Sequence, residues 1–355
     1  MHKQLFIPGP VDVRPDVLEK MATPMIGHRS KECTALQESI SGKLQKVFQT
    51  ENVMVLSTSS GSGLMESAIR CCTAKKAAVF SIGAFGDRWY KMAVANGKPA
   101  DKFRAEDGQA THPEDVEKVL ATGEYDLITV THNETSSGVQ NPVGEIAEVV
   151  KKYPDVVFCI DTVSSMAGAD IPVDKWGVDF CITSTQKCLG LPPGLSMASV
   201  SQKAYDRAKT VTNRGLYLDI VEIYDKVVKN YQYPSTPSLP HMFALDYQLD
   251  LILAEGLENR WARHAEMAKY IQDWARKYFA LFSDERYLSN TVTCIANTRG
   301  ISVADLNKAL GERGMTLSNG YGDLKEKTFR IAHMADATMD DMKKLTTAIE
   351  DILGL

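Results

Sequence analysis

The chain lacks any apolar run near the roughly 20 residues that a helix needs to cross a bilayer. Its start, His2-Lys3-Gln4-Leu5-Phe6-Ile7-Pro8-Gly9, carries too short an apolar stretch for a signal peptide. These absences predict a soluble, cytoplasmic protein that does not enter membranes. Blocks of like charge are missing too. The 40 Lys and Arg residues stand against 45 Asp and Glu, a net charge of −5, which speaks against a nucleic-acid partner. The seven cysteines (33, 71, 72, 159, 181, 188 and 294) are odd in number and have neither C-x-x-C pairs nor companion histidines. They are expected to be reduced, mostly buried thiols, with no disulfide framework and no metal centre. No internal repeat or low-complexity tract is present.

What the chain does have is length: 355 residues leave room for about two domains. Short apolar runs follow one another from Asn52 onward, at 53–56, 77–82, 127–130, 156–160, 178–182 and 195–200. Amphipathic segments at 64–72, 87–95, 113–120 and 145–152 separate them. Buried strands alternating with helices predict an α/β fold with a mostly parallel sheet covered on both faces. The segment 231–240 holds three prolines and reads as an ordered connector. A long helical pattern at 243–282, interrupted near Gly256, leads to strand-like runs at 291–296 and 329–332 and two further helices. Thr338 and Asp341 have the spacing of a capping box at the start of the last helix.

In sheets of this kind ligands bind beyond the strand C-termini, which directs attention to the loops 57–63, 133–138 and 161–165. Ser60-Gly61-Ser62-Gly63, between a strand and a helix, offers backbone amides and a positive helix end to a phosphate. Asp161 ends an apolar strand, where a carboxylate needs a cation or hydrogen-bond donors. Lys187 follows Ser184-Thr185-Gln186 and precedes Leu191-Pro192-Pro193-Gly194. A lysine amine can hold an aldehyde cofactor as a Schiff base, and a carboxylate can pair with a protonated pyridine nitrogen, so the two together point to pyridoxal phosphate. Phe85 lies between Gly83 and Gly86, which would let its ring approach a flat partner. Thr135 can donate a hydrogen bond to a cofactor oxygen, and Arg330 can present its planar fork to a carboxylate. Each residue alone has an ordinary structural reading: a flexible turn, a capping aspartate, a solvated lysine, a core phenylalanine, a surface ion pair.

Taken in order, the motifs resemble the class V aminotransferases of pyridoxal phosphate fold type I, nearest the alanine-glyoxylate and serine-glyoxylate branch. They run from Phe6-Ile-Pro-Gly-Pro10 through Ser60-Gly-Ser-Gly63, Gly86-Asp-Arg88, Asn133-Glu-Thr-Ser-Ser-Gly138 and Asp161-Thr-Val-Ser-Ser165 to Ser184-Thr-Gln-Lys187. The resemblance implies an N-terminal segment 1–15 near the active site, a large cofactor-binding domain 16–245 with a seven-stranded-type sheet, and a small α+β domain 246–355. It implies that Lys187 carries the cofactor, Asp161 pairs with its ring nitrogen, Phe85 stacks on its ring, and Thr135 and Ser164 bond its edge. Ser62, the amides of Gly63 and Leu64, and the Gln186 side chain would hold the phosphate, with Tyr233 and Thr236 reaching over from the second subunit of a homodimer. Gly9 and Arg330 would face the substrate. Relatives often have His or Thr in place of Leu64, so here only its amide is left for the phosphate.

The implied activity is transfer of an amino group from alanine or serine to glyoxylate or pyruvate in two half-reactions. A phosphonate (2-aminoethylphosphonate)-pyruvate transaminase is the nearest alternative and would need a second cation, for which His28, Arg29 and Arg88 are candidates. A pyridoxal phosphate lyase or desulfurase would need a reactive cysteine, and the loop 318–323 has none. A non-catalytic accessory subunit is disfavoured by the intact Asp161 and Lys187.

Overall fold

In the computed structural model, which describes residues 2–355, the six apolar runs form strands of one seven-stranded sheet. Its spatial order is Val53–Ser57, Ser196–Val200, Phe180–Ser184, Val157–Asp161, Leu127–Thr131, Ala77–Ser81 and Ala100–Arg104. Ser196–Val200 runs antiparallel to both neighbours, and the remaining pairs are parallel. The five strands from Ala77–Ser81 to Ser196–Val200 are buried along their whole length because helices cover both faces, which is why they read as continuous apolar runs. The edge strand Ala100–Arg104 was not expected. Its sequence, ADKFR, carries charges that suit an edge exposed to water and hide the strand signal.

The covering helices begin two or three residues earlier than apolar periodicity suggests, at Gly61–Cys72, Ala84–Ala95 and Val143–Val150. Gly61-Ser62-Gly63 is therefore the first helical turn and not a loop. The connector is irregular as far as Ser238. Leu239 and Pro240 open the next helix, where a missing N–H costs nothing. The long helical stretch divides at Gly256 (φ +83°) into Leu239–Glu255 and Leu257–Tyr278.

A second sheet holds Gln4–Phe6, Met315–Asn319, Thr328–Ala332, Val292–Ala296 and Ala280–Leu281 in that order. It has five strands where two were expected. Gln4–Phe6 pairs parallel to Met315–Asn319, so the chain starts on the C-terminal sheet and then crosses toward Lys187. One apolar core runs from Val17 to Ile252, and another joins Phe6 to residues between Met267 and Ile349. Thr338 and Asp341 form the reciprocal cap: Asp341 donates its amide to the Thr338 hydroxyl, and its carboxylate accepts the Thr338 amide at 2.8 Å. Such a cap contributes about 1 kcal/mol.

Candidate active site

Strand register sets the position of the site. Thr131 lies opposite Asp161, while Ser184 and Ser57 both lie opposite Ser196. The loops that leave these strand ends therefore meet above the middle of the sheet.

Asp161 is the last residue of its strand, and its side chain is buried. One carboxylate oxygen accepts the Val163 amide at 2.8 Å. Among the described residues no cationic side chain forms an ion pair with it. Burial raises its pKa to about 6. The Val163 bond opposes that rise, buried Glu134 adds to it, and the charges of Arg88 and Lys187 oppose it more weakly. A carboxylate in this state favours a cationic ligand.

Lys187 is 9% exposed, and its amine donates to the Pro8 carbonyl. Burial is the largest cause that lowers its pKa, to about 8, with Arg330 adding to the shift and Cys188 opposing it. The turn that carries it is closed by Gly190 N to Lys187 O at 2.9 Å, Leu191 N to Thr185 O at 3.0 Å and the Thr185 hydroxyl to Pro192 O at 2.6 Å. Gly9 approaches the lysine so closely that an added Cβ would lie 2.6 Å from Nζ, and its φ is +95°. Gly9→Ala is therefore expected to destabilise the protein by about 1–3 kcal/mol and to slow capture of an aldehyde by Lys187. Thermal melts together with the rate of colour development on adding pyridoxal phosphate test this. Unchanged values in both would mean the N-terminal segment can move away.

At the helix Gly61–Cys72, the N-cap residue Ser60 makes no side-chain capping bond. The Gly63 amide is not free as expected, because it donates to the Ser60 carbonyl at 2.8 Å. Leu64 turns its side chain into the core. The Ser62 hydroxyl accepts from the Arg88 guanidinium at 2.8 Å, and the Gln186 side chain accepts from the Ser184 hydroxyl.

The loop after Leu127–Thr131 contributes a residue that sequence reasoning missed. Glu134 is fully buried, and its carboxylate accepts the Phe85, Gly86 and Ser136 amides and the Ser136 hydroxyl. It holds the positive end of the helix Ala84–Ala95 and so fixes Phe85. The flanking glycines serve this packing more than the approach of a ring. A Cβ at Gly83 would strike Glu134, and one at Gly86 would strike Ser81. A glutamate within a polar loop gave no sequence signal for this contact. Thr135 and Ser164 hydrogen-bond each other through their hydroxyls, which joins two of the expected loops.

Arg330 is also buried. Its guanidinium donates to the carbonyls of Thr135 and Asn319 at 3.0–3.3 Å. No carboxylate pairs with it among the described residues, so the expected alternative of a surface ion pair is excluded. Tyr233, expected at a subunit boundary, instead faces inward. It is 6% exposed within its own chain, and its hydroxyl accepts the Leu56 amide at 3.0 Å. Thr236 is exposed.

The donor set fits pyridoxal phosphate: a buried amine, a buried carboxylate without a cation, a helix start with polar groups, and an aromatic ring held beside them. The family model Aminotransferase class-V matches residues 16–345. The chain belongs to the class V aminotransferases. It is 40% identical over 342 residues to an uncharacterized aminotransferase of Methanocaldococcus jannaschii, covering 94% of this chain and 88% of that one. It is 31% identical over 353 residues to the serine–glyoxylate aminotransferase of Methylorubrum extorquens, with 94% and 87% covered. The crystal structure of an alanine–glyoxylate aminotransferase from Nostoc superposes with a TM-score of 0.94 at 27% identity, covering 99% and 96% of the two chains. Class V aminotransferases depend on pyridoxal phosphate, and this chain is a transaminase with the fold expected from its sequence. No helix among the described residues is long and apolar enough to cross a membrane.

Proposed function

We propose that this aminotransferase moves the amino group of alanine or serine to a small 2-oxo acid, glyoxylate or pyruvate. The observation that carries the reading is Arg330, a buried guanidinium whose hydrogen-bond partners among the described residues are carbonyl oxygens and not a carboxylate, which suits one substrate carboxylate. The other buried arginine among the described residues, Arg260, is already paired with Glu255 and Asp336. Of the extra cations a dianionic or phosphonate donor would require, Arg29 donates to the carbonyls of Tyr233 and Pro234 and Arg88 to the Ser62 hydroxyl, and neither has a carboxylate partner among the described residues, so the donor panel below decides between the two readings.

In this reading Lys187 would hold the cofactor, Asp161 its ring nitrogen, Phe85 its ring face, and Thr135 with Ser164 its edge. Ser62, the Leu64 amide and Gln186 would hold the phosphate, and Thr236 of the partner subunit of a homodimer would close that end. When bound, pyridoxal phosphate supplies an electron sink for negative charge at the donor α-carbon and stores the amino group between half-reactions. Arg330 orients the donor by its carboxylate, so that its α-hydrogen faces Lys187. The neutral Lys187 amine takes up that proton as a general base and later returns it. The dry, buried surroundings of Asp161 keep its pairing with a cation strong. A desulfurase is not supported, because burial pushes the Cys188 thiol up to about 11 and its sulfur lies 3.3 Å from the Ser164 carbonyl.

The test is a panel of alanine, serine, aspartate and 2-aminoethylphosphonate against glyoxylate, pyruvate and oxaloacetate. Alanine or serine should lead, and preference for aspartate or the phosphonate overturns the small-donor reading. Arg330→Lys keeps the charge and loses the bidentate fork. It should lower kcat/KM for alanine by roughly 30- to 150-fold, mainly through KM, the equivalent of about 2–3 kcal/mol.

A further inference from the structure

We propose that Tyr321 determines specificity in the transamination site, by holding the Arg330 guanidinium and limiting the donor to a small side chain. The proposal rests on the small-donor reading above and names the residue that enforces it. Tyr321 lies next to both the ring proposed to face the cofactor and the arginine proposed to hold the donor. Its ring lies 5.6 Å from that of Phe85, tilted by 44°, and the Arg330 guanidinium carbon lies 5.6 Å from its centroid. With Arg88 4.7 Å from the Phe85 centroid, the four side chains form one connected run: cation, ring, ring, cation. An aromatic face within about 6 Å of a guanidinium attracts it and restricts the plane of the fork that must meet a carboxylate.

The ring is held in place by its loop. Asn319 accepts the Gly320 amide at 2.7 Å and the Glu326 amide at 2.8 Å through its side chain, while its backbone carbonyl takes two Arg330 N–H groups. Gly320 packs against the Leu324 carbonyl so tightly that no side chain fits there, and Gly322 has φ +55°. One residue, Asn319, thus fixes the Tyr321 loop and the arginine together. In the proposed pose, a donor bound through its carboxylate to Arg330 would meet the Tyr321 ring next, and that ring would admit a methyl or hydroxymethyl group and obstruct a longer side chain. Beyond the ring, Tyr321 lines a cleft of about 330 Å³ with Gly83, Ala84, Arg88 and Ser136. The limit on donor size would therefore be the ring itself and not a packed wall behind it.

The loop position is 40% exposed, so truncation spares the core. In holoenzyme, Tyr321→Ala should raise kcat/KM for leucine relative to alanine by roughly 10-fold or more, the scale on which pockets discriminate a few methylenes. Tyr321→Phe keeps the ring and should keep the wild-type ratio. Calorimetry gives a readout independent of turnover. Propanoate should bind Tyr321→Ala several-fold more weakly than wild type, while 4-methylpentanoate should bind it at least as well. If wild type transaminates alanine and the leucine-to-alanine ratio and both carboxylate affinities are unchanged in Tyr321→Ala, the proposal is overturned alone. If wild type transaminates no donor, the functional reading falls and takes this proposal with it.

Discussion

Lys187→Ala is expected to abolish transamination, with a loss of ~10⁴-fold or more, because one side chain both carries the cofactor and moves the α-proton. The variant should still bind pyridoxal phosphate reversibly, since the other proposed contacts remain. After borohydride treatment and digestion, however, no labelled peptide should appear, whereas wild type should yield a single label at Lys187. A label elsewhere, or residual turnover near the wild-type rate, sinks the assignment. The surroundings of the amine add a pH dependence. Burial lowers its pKa from 10.5 to about 8, so near pH 8 about half the amine is neutral, against ~0.3% for an ordinary lysine. The rate at which apoprotein captures the cofactor should therefore rise with pH through a midpoint near 8 and then level off. For stability, the depressed pKa means that a buried charge destabilises the fold below pH 8. That penalty is lifted as pH rises from 8 toward 10.5. A capture rate still climbing at pH 10 would show that the amine is solvated.

The large sheet was legible because its central strands are buried on both faces, so their apolar runs carry the information directly. The strand Ala100–Arg104 was not, because an edge strand shares its polar face with water and its sequence resembles a loop. Gln4–Phe6 was hidden for another reason: three residues become a strand only by pairing with Met315–Asn319, more than 300 positions away. The placement of Asp161 at the end of its strand and of Lys187 in the turn just after Phe180–Ser184 was legible because each stands in a recognisable local pattern. Glu134 and Tyr321 were not. Their positions depend on contacts between loops distant in sequence, Glu134 with the amides of Phe85 and Gly86, and Tyr321 with Phe85 and Arg330. The inward turn of Tyr233 is likewise a packing choice that proline spacing cannot reveal.

Asp161→Asn should separate activity from stability. Asparagine can still accept the Val163 amide but cannot hold a positive charge, so kcat should fall by about 10²–10³-fold. The apoprotein should move the other way. Burial raises the Asp161 carboxyl to about 6 in the fold, against an ordinary value of 3.8. Because the folded value is the higher one, the unfolded chain releases its proton first. Stability due to this group is complete below pH 4, falls as pH rises from about 4 to 6, and stays reduced above that. A rise from 3.8 to about 6 corresponds to about 3 kcal/mol. Replacing the carboxylate removes that penalty, so apo Asp161→Asn should be more stable than apo wild type at pH 7, by up to about 3 kcal/mol, with the advantage gone near pH 3. Denaturant titrations at the two pH values measure this directly. Adding pyridoxal phosphate should reverse the order at pH 7, because only the wild-type carboxylate gains a cationic partner. If apo wild type is the more stable protein at pH 7, Asp161 already has its counter-charge within the chain, and its assignment to the cofactor ring fails.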